Sequence, residues 1–230
     1  MAKENAFEEN LTAGEGRVWA GLRSPIKIQE FLDQMAYSTE KTYRCPLRVM
    51  RGKRAHCFDG AIFAAAVLRR IGYPPIILEL VPNRRGDVHV LAVYKRGKSW
   101  GAVGKSNFTG LRYREPVYRN LRELVMSCFE QYFNVKGEKT LRGYTLPLNL
   151  RTFDSFRWPV NDAALENIAK RLDQMRKVPV ISPSMGKKLS HVDPQSLQAG
   201  LLCADERGLF QPDPKNKKDL PQVEPNPSTS

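Results

Sequence analysis

An almost uninterrupted apolar run follows Cys57 and predicts a buried central helix. Apart from Asp59, residues 58–68 are aromatic, aliphatic, alanine or glycine, and alanine and leucine favour helix. Gly72 then suits the left-handed position just past a helix end, and Pro74 prevents continuation. Because a helix that is apolar on nearly every side belongs inside a domain, we expect this one at the centre of the fold.

Three apolar runs downstream predict consecutive β-strands. They cover residues 76–81, 87–94 and 99–103, and short turn sequences at 82–86 and 95–98 separate them. Short turns between neighbouring strands produce an antiparallel meander. Within the second run, two-residue periodicity places His89 on one face with Leu91 and Val93. If that face covers the central helix, the imidazole points toward the helix start.

Weaker patterns predict the flanking elements. Capping residues followed by helical spacing of apolar side chains predict helices from Pro25, from Glu115 to about Asn134, and after Asp162. Residues 37–53 have the composition of a loop, and residues 144–150 that of one more strand.

The composition changes at residue 178. Eight of the sixteen prolines lie between Pro179 and Pro227, and Phe210 is the last aromatic residue. Such a segment has too little apolar surface to offset the entropy of ordering. We therefore predict a domain over residues 1–177, with its core at about 22–150, and a disordered tail over 178–230.

Cys57 and His89 are the candidate catalytic pair. A cysteine at a helix N-terminus faces backbone N–H groups without partners, and this position lowers the pKa of a thiol. A histidine on a following strand can act as its base in thiol acyl transfer. The backbone N–H of Cys57 would supply part of an oxyanion hole.

These residues, together with Trp100 on the next strand, give the region from about Leu22 to Phe133 a resemblance to the transglutaminase-like superfamily, which is related in fold to papain. The resemblance implies an α+β fold in which a central cysteine-bearing helix packs on an antiparallel sheet. It also implies a third polar residue that orients the histidine.

The third residue departs from the family pattern. The resemblance implies an Asp a few residues after Trp100, but this chain has no carboxylate there. Asn107 can accept from an imidazole N–H, as an Asn does in papain-like enzymes, and completes the predicted catalytic set. Ser106 and Asp87 stay as alternatives for the orienting role.

The net charge of +13 is concentrated near these residues. Residues 41–70 hold eight basic residues and one acidic residue, and residues 84–123 hold ten basic and three acidic, so each window has a net charge of +7. A positive field of this kind attracts an acidic protein, an anionic small molecule or nucleic acid. A solvated basic surface without a partner accounts for the same pattern.

Composition also bears on compartment and cofactors. The four cysteines lack the spacing of a disulfide framework, and neither a secretory signal nor a membrane-spanning run is evident. We expect a cytoplasmic protein without membrane contact. Cys45, His56, Cys57 and His89 match no zinc-site spacing, so we expect neither a metal nor a cofactor.

Two functions remain open from the sequence. One is an acyl-transfer enzyme, acting on a protein, peptide or small amide, in which Cys57 attacks the carbonyl and either water or an amine completes the reaction. The other is a catalytically inactive binding module of the same fold, whose basic surface holds an acidic protein or nucleic acid.

Overall fold

A computed structural model describes residues 5–215, which combine helices with antiparallel strands in an α+β fold. The helices are α1 (Asn5–Glu8), α2 (Ala13–Gly21), α3 (Pro25–Asp33), α4 (Pro46–Gly52), α5 (Cys57–Arg70), α6 (Leu121–Met126), α7 (Ala163–Asp173), α8 (Pro183–Lys187) and α9 (Pro194–Gly200). The strands are β1 (Ala36–Tyr37), β2 (Arg54–Ala55), β3 (Ile76–Pro82), β4 (His89–Arg96), β5 (Ser99–Val103), β6 (Arg114–Tyr118), β7 (Leu141–Thr145), β8 (Leu148–Asn149) and β9 (Lys177–Pro179). Short 3₁₀ segments occur at Thr109–Leu111, Phe129–Gln131, Leu150–Phe156 and Glu206–Gly208. Within residues 5–215, none of the helices has the length and apolar character needed to cross a membrane.

The main sheet has the strand order β6-β5-β4-β3-β7-β9, and β8 pairs with β3 beside β7. Its pairings are antiparallel, with Leu80 opposite His89 and Val93 opposite Ala102. The predicted meander of three strands is confirmed as β3, β4 and β5. β1 and β2 form a separate parallel pair.

Helix α5 has the predicted position and burial. It begins at Cys57, and its residues from Phe58 to Leu68 are buried. The helix ends at Arg70, and Gly72 follows with a φ of +93°, in the left-handed region that favours glycine. The apolar run at 58–68 and the glycine at 72 therefore determine where helix α5 lies and where it ends.

The two faces of the main sheet bury different side chains. On the face that we call the α5 face, Ile77, Val90 and Ala92 pack in the same core as α5. On the opposite face, Leu91 and Val93 pack with α6 and its neighbours. His89 shares the opposite face by alternation, so the face of β4 that covers α5 is not the face that carries His89.

Two predicted elements differ in the structure. Part of the predicted loop at 37–53 is helix α4, where Pro46 occupies the first turn and Leu47, Val49 and Met50 are buried. The helix predicted from Glu115 is instead the strand β6 followed by the short α6, which Asn120 caps. Proline is tolerated in β6 because this strand lies at the edge of the sheet.

Helix α7 is present after Asp162, but its start differs from the prediction. The Asp162 side chain makes no cap. Its carboxylate accepts from the backbone N–H of Cys45 at 2.8 Å and pairs with Arg48. Asp162 thus joins α7 to α4.

The chain does not leave the domain at residue 178. β9 pairs with β7, with Val178 opposite Tyr144, and Val180 beyond it is buried. Gly200 in α9 packs so closely on Phe133 that an added Cβ would lie 2.4 Å from its ring. A few apolar residues thus anchor this proline-rich segment through residue 215, and the rest of the predicted tail, 216–230, lies outside the described residues.

Candidate active site

Cys57 is half-buried at the first position of α5. His56 caps the helix, since its Nδ1 accepts from the backbone N–H of Asp59 at 3.4 Å. The Cys57 thiol donates to the carbonyl of Val88, 3.8 Å from the sulfur. The sulfur therefore lies against the chain just before β4.

His89, the first residue of β4, is 5% exposed, and its Nε2 lies 2.7 Å from the carbonyl oxygen of Leu111. Because a carbonyl oxygen only accepts, Nε2 carries the proton and Nδ1 of the neutral ring remains a proton acceptor. Burial lowers the pKa of His89 to about 4, so the ring is neutral near pH 7.

The sulfur and the imidazole line one small cavity. Its volume is about 50 Å³, which leaves room for only a few water molecules. No hydrogen bond between Cys57 and His89 occurs in the described part of the chain. The predicted residues Asp87, Ser106 and Asn107 line the same cavity, so the fold brings all of the sequence candidates together.

The predicted role of Asn107 is wrong for this structure. Its Nδ2 donates to the carbonyl of Asp205 and its Oδ1 accepts from the N–H of Asp205, both at 2.8 Å. These two bonds occupy the amide, while the carbonyl of Leu111 makes the contact to His89. The turn between β5 and β6 presents a backbone oxygen to the imidazole where we expected a side chain.

The alternatives to Asn107 do not hold the imidazole either. The hydroxyl of Ser106 accepts from the backbone N–H of Phe108 at 3.0 Å. The carboxylate of Asp87 accepts from the backbone N–H of Val88 at 3.0 Å.

Residues 205–210, which we call the covering segment, lie over part of the cavity. Gly208 and Phe210 line it, and a Cβ on Gly208 would lie 2.8 Å from the ring of Tyr37. The segment thus packs directly on Tyr37, and Asn107 fixes it at Asp205.

The thiol of Cys57 is not activated in this state, contrary to the prediction. Burial raises the pKa of Cys57 to about 12, and the Asp87 carboxylate adds to the effect. The backbone N–H groups of Val90 and Phe58 oppose this rise. Desolvation of the sulfur therefore outweighs the favourable position at the helix N-terminus.

Tyr37 is a site residue that the sequence did not reveal. The pairing of β1 with β2 places Tyr37 opposite Ala55, close to the start of α5. Together with Cys57 it lines the small cavity and a second, larger one, and burial raises the pKa of Tyr37. The two residues are twenty positions apart without a shared motif, and Leu111 acts through its backbone, so neither had a sequence signal.

A larger cavity of about 490 Å³ opens on the other side of Cys57. The end of α7, the residues after β1 and the covering segment surround it. Its charged lining residues include four carboxylates and two cations: Glu40, Glu79, Asp87 and Asp173, with Lys41 and Arg207. The lining is thus acidic, although the whole chain carries +13.

Asp59 stabilises the start of α5 from inside. It is fully buried and accepts from the backbone N–H of Arg44 at 2.9 Å, while the Arg44 guanidinium lies 3.6 Å away. Burial raises the pKa of Asp59 to about 7 in spite of this cation. Its contacts hold the start of α5, and its charge adds to the raised pKa of Cys57.

Within residues 5–215, no three His, Cys, Asp or Glu side chains are grouped in a way that could hold a metal ion. Of the residues weighed as zinc ligands, Cys45 is buried in the core around α5, and His56 serves as a helix cap.

Comparison with known proteins gives distant likenesses in structure. No family model and no curated protein matches the chain. LapG from Legionella pneumophila is similar over 45% of this chain and 71% of its own, with 12% identity and a TM-score of 0.34. The EGTA-treated form of LapG is similar over 46% and 68%, with the same identity and TM-score. A likeness this distant does not extend to activity.

Proposed function

We propose that the protein is a thiol enzyme of the transglutaminase-like class, which cleaves or transfers the acyl group of an amide or peptide through Cys57 and His89. The observation that carries the proposal is the cavity that both side chains line. Nε2 of His89 is held by the carbonyl of Leu111, which leaves Nδ1 to accept a proton. A cysteine nucleophile requires such a base nearby.

In the proposed reaction the Cys57 sulfur attacks the amide carbonyl carbon while Nδ1 of His89 takes the thiol proton. The C–N bond of the tetrahedral intermediate then breaks, and the imidazolium gives its proton to the leaving amine. Water or a second amine attacks the resulting thioester, which releases an acid or a new amide and restores the thiol. Leu111 keeps the imidazole oriented throughout, the task that a side chain performs in a catalytic triad.

The oxyanion of the intermediate is proposed to form beside the backbone N–H of Cys57. Tyr37 lines both cavities beside Cys57, and its O–H can turn toward the negative oxygen. Preorganised donors of this kind contribute much of the stabilisation in acyl transfer.

Movement of the covering segment is proposed to widen the access to His89. In the described state the cavity that Cys57 and His89 share measures only about 50 Å³, and the pKa of Cys57 is raised to about 12. Displacement of residues 205–210 would admit both substrate and water, and hydration of the sulfur would lower the pKa of Cys57 again.

A peptide library tests the proposal. The full chain and its Cys57→Ser variant are incubated with peptides from a digested proteome, and mass spectrometry detects new termini and modified glutamine side chains. We expect products with the unaltered chain and with the Cys203→Ser control, and none with Cys57→Ser. Equal product patterns for Cys57→Ser and the unaltered chain would exclude the assignment.

The raised pKa of Cys57 favours a second candidate, an inactive binding module for an acidic protein or nucleic acid. The rate of reaction with iodoacetamide against pH separates the two. A rate that rises well below pH 8 and depends on His89 supports the enzyme. A profile like that of free cysteine, together with no product from the library, supports the binding module.

A further inference from the structure

Glu79 lies one strand away from the candidate nucleophile. It is paired with Val90 across β3 and β4, and Val90 lines the same 490 Å³ cavity as Cys57. Opposed residues in an antiparallel pair have Cα atoms about 5 Å apart. Glu79 and Cys57 both line the 490 Å³ cavity, so the carboxylate lies at the side of that cavity nearest the sheet.

This carboxylate is buried without a partner. Glu79 is 5% exposed, and no described residue gives its side chain a hydrogen bond or an ion pair. Burial raises the pKa of Glu79 to about 7, and the charge of Lys177 offsets this only in part, while Asp173 and Asp87 add to it. A buried carboxylate without a partner is costly, and the cost falls when a cation enters.

The surrounding charges also favour a cation. Glu40 is neutralised by Arg44 and Arg54, whereas Asp87 and Asp173 line the cavity without ion pairs among the described residues. Of the two lining cations, Arg207 is paired with Asp205, so Lys41 faces the three carboxylates of Glu79, Asp87 and Asp173. Because salt screens charges beyond about 8–10 Å, the carboxylates that line the cavity contribute more to the potential at Cys57 than charges on other parts of the surface do.

We propose that Glu79 forms a subsite for the positively charged side chain of a peptide substrate, so that the enzyme acts beside a basic residue. The inference rests on the proposed function, because it concerns the substrate of the same site. It reverses the anionic preference that the overall charge suggests.

Two thiol reagents of opposite charge measure the potential at Cys57. The full chain carrying Cys203→Ser, which removes the exposed thiol, is treated separately with [2-(trimethylammonium)ethyl] methanethiosulfonate and with (2-sulfonatoethyl) methanethiosulfonate. Mass spectrometry follows labelling of Cys57, and the ratio of the two rates is divided by the ratio for free 2-mercaptoethanol. The thiolate fraction cancels, since both reagents meet the same sulfur.

We expect a normalised ratio of roughly three or more in favour of the cationic reagent, from the charge of a nearby carboxylate. Glu79→Gln should lower the ratio by roughly two-fold or more, whereas Glu30→Gln, at an exposed glutamate paired with Lys27, should leave it unchanged. A ratio of one or below in the unsubstituted site overturns the proposal, as does a ratio that Glu79→Gln leaves unchanged.

The test does not depend on Glu79→Gln alone, because that variant could fail to fold. Circular dichroism checks Glu79→Gln, and Asp173→Asn, at an exposed position, gives a second and smaller decrease of the ratio. A chain without amide turnover but with a high ratio would retain the cation subsite and lose the proposed function. Amide turnover together with a ratio at or below one would retain the proposed function and exclude the cation subsite.

Protection by peptides identifies the occupant. The blocked peptide acetyl-AAKAA-amide should slow labelling of Cys57 by the neutral methyl methanethiosulfonate more than acetyl-AAEAA-amide does. Equal protection by the two peptides contradicts the proposal. Protection by cadaverine but by neither peptide would assign the subsite to a small amine and overturn the basic peptide.

Discussion

The two faces of the main sheet meet at the candidate active site, but the chain builds them differently. The core on the α5 face is centred on one continuous buried run, Phe58 to Leu68, and residues from earlier and later helices and from the sheet pack around it. The opposite face is covered by short pieces between residues 108 and 133 and between 178 and 189. Cys57 belongs to the first side and His89 to the second, so local sequence places the nucleophile and distant segments place the base.

The polar side chains at the candidate site differ in their partners. The carbonyl of Leu111 satisfies His89, and the backbone of Asp205 satisfies Asn107. On the α5 face, Asp59 has Arg44, while Glu79 has neither a hydrogen bond nor an ion pair from a described residue. His89 thus has a fixed ring orientation, whereas Glu79 has no fixed partner among the described residues.

Removal of the base should have the largest effect. His89→Ala is expected to lower amide turnover by about 10²–10⁴-fold, the usual contribution of a positioned acid–base group. The control is His191→Ala at an exposed histidine bonded to the carbonyl of Lys136. Turnover measured on a peptide from the library checks both, and a loss shared by the two variants would contradict the role of His89.

The stability of the α5 face should depend strongly on its continuous core. Phe63 in α5 is fully buried, and Phe63→Ala is expected to lower the free energy of unfolding by ~3–5 kcal/mol. Phe156→Ala, at a residue that is 47% exposed, should change it by less than ~1 kcal/mol. Urea unfolding measures both, and similar losses would show that α5 does not dominate the core.

The unpaired carboxylate on the α5 face should make stability depend on pH. The pKa of Glu79 is raised from its ordinary value of 4.5 to about 7, so the folded state favours the protonated form. The stability that this provides is present below pH 4.5 and is lost as the pH rises through 7. Glu79→Gln should therefore be more stable than the unaltered chain at pH 8, by ~1–2 kcal/mol, and equally stable at pH 4.

Urea unfolding at the two pH values tests this dependence. Glu30→Gln is the matched control and should show no difference between them. A Glu79→Gln variant that is less stable than the unaltered chain at pH 8 would mean that the carboxylate has a stabilising partner.

The smallest effect concerns the attachment of the covering segment. Asn107→Ala removes two hydrogen bonds to Asp205, each contributing ~1 kcal/mol. We expect alkylation of Cys57 by iodoacetamide to become roughly five- to ten-fold faster, because residues 205–210 leave the cavity more often. An Asn107 that oriented the imidazole would instead give slower alkylation.

Asn161→Ala is the matched control for Asn107. Asn161 also makes two hydrogen bonds to the backbone, to Phe156 and from Ala163, but it lines neither cavity. Its substitution should leave the alkylation rate unchanged.

Much of the fold followed from the chain's own pattern. Helix α5, the strands β3 to β5 and the helix α3 after Ser24 lie where periodicity and capping residues placed them. The segment from Glu115 did not, because a proline after an acidic residue suits both a helix start and an edge strand. Residues 178–215 were misjudged because a few buried apolar side chains outweigh a proline-rich composition.

The candidate site was predictable only in its two reactive side chains. Cys57 and His89 belong to regular elements with recognisable spacing, and their side chains carry the chemistry. The partner of the imidazole is a backbone oxygen, which every residue possesses, so Leu111 gives no signal in the sequence. The pKa of the thiol was misjudged because burial depends on neighbours such as Val88 and the covering segment.

The sequence by itself determined the central helix, the antiparallel meander and the two side chains that could perform acyl transfer, since each follows from interactions between residues close in the chain. Only the tertiary structure decided which face His89 occupies, which atom holds its ring and how acidic the cavity beside Cys57 is. Burial and charge at a point in space depend on residues brought from remote segments, and local periodicity carries no record of them.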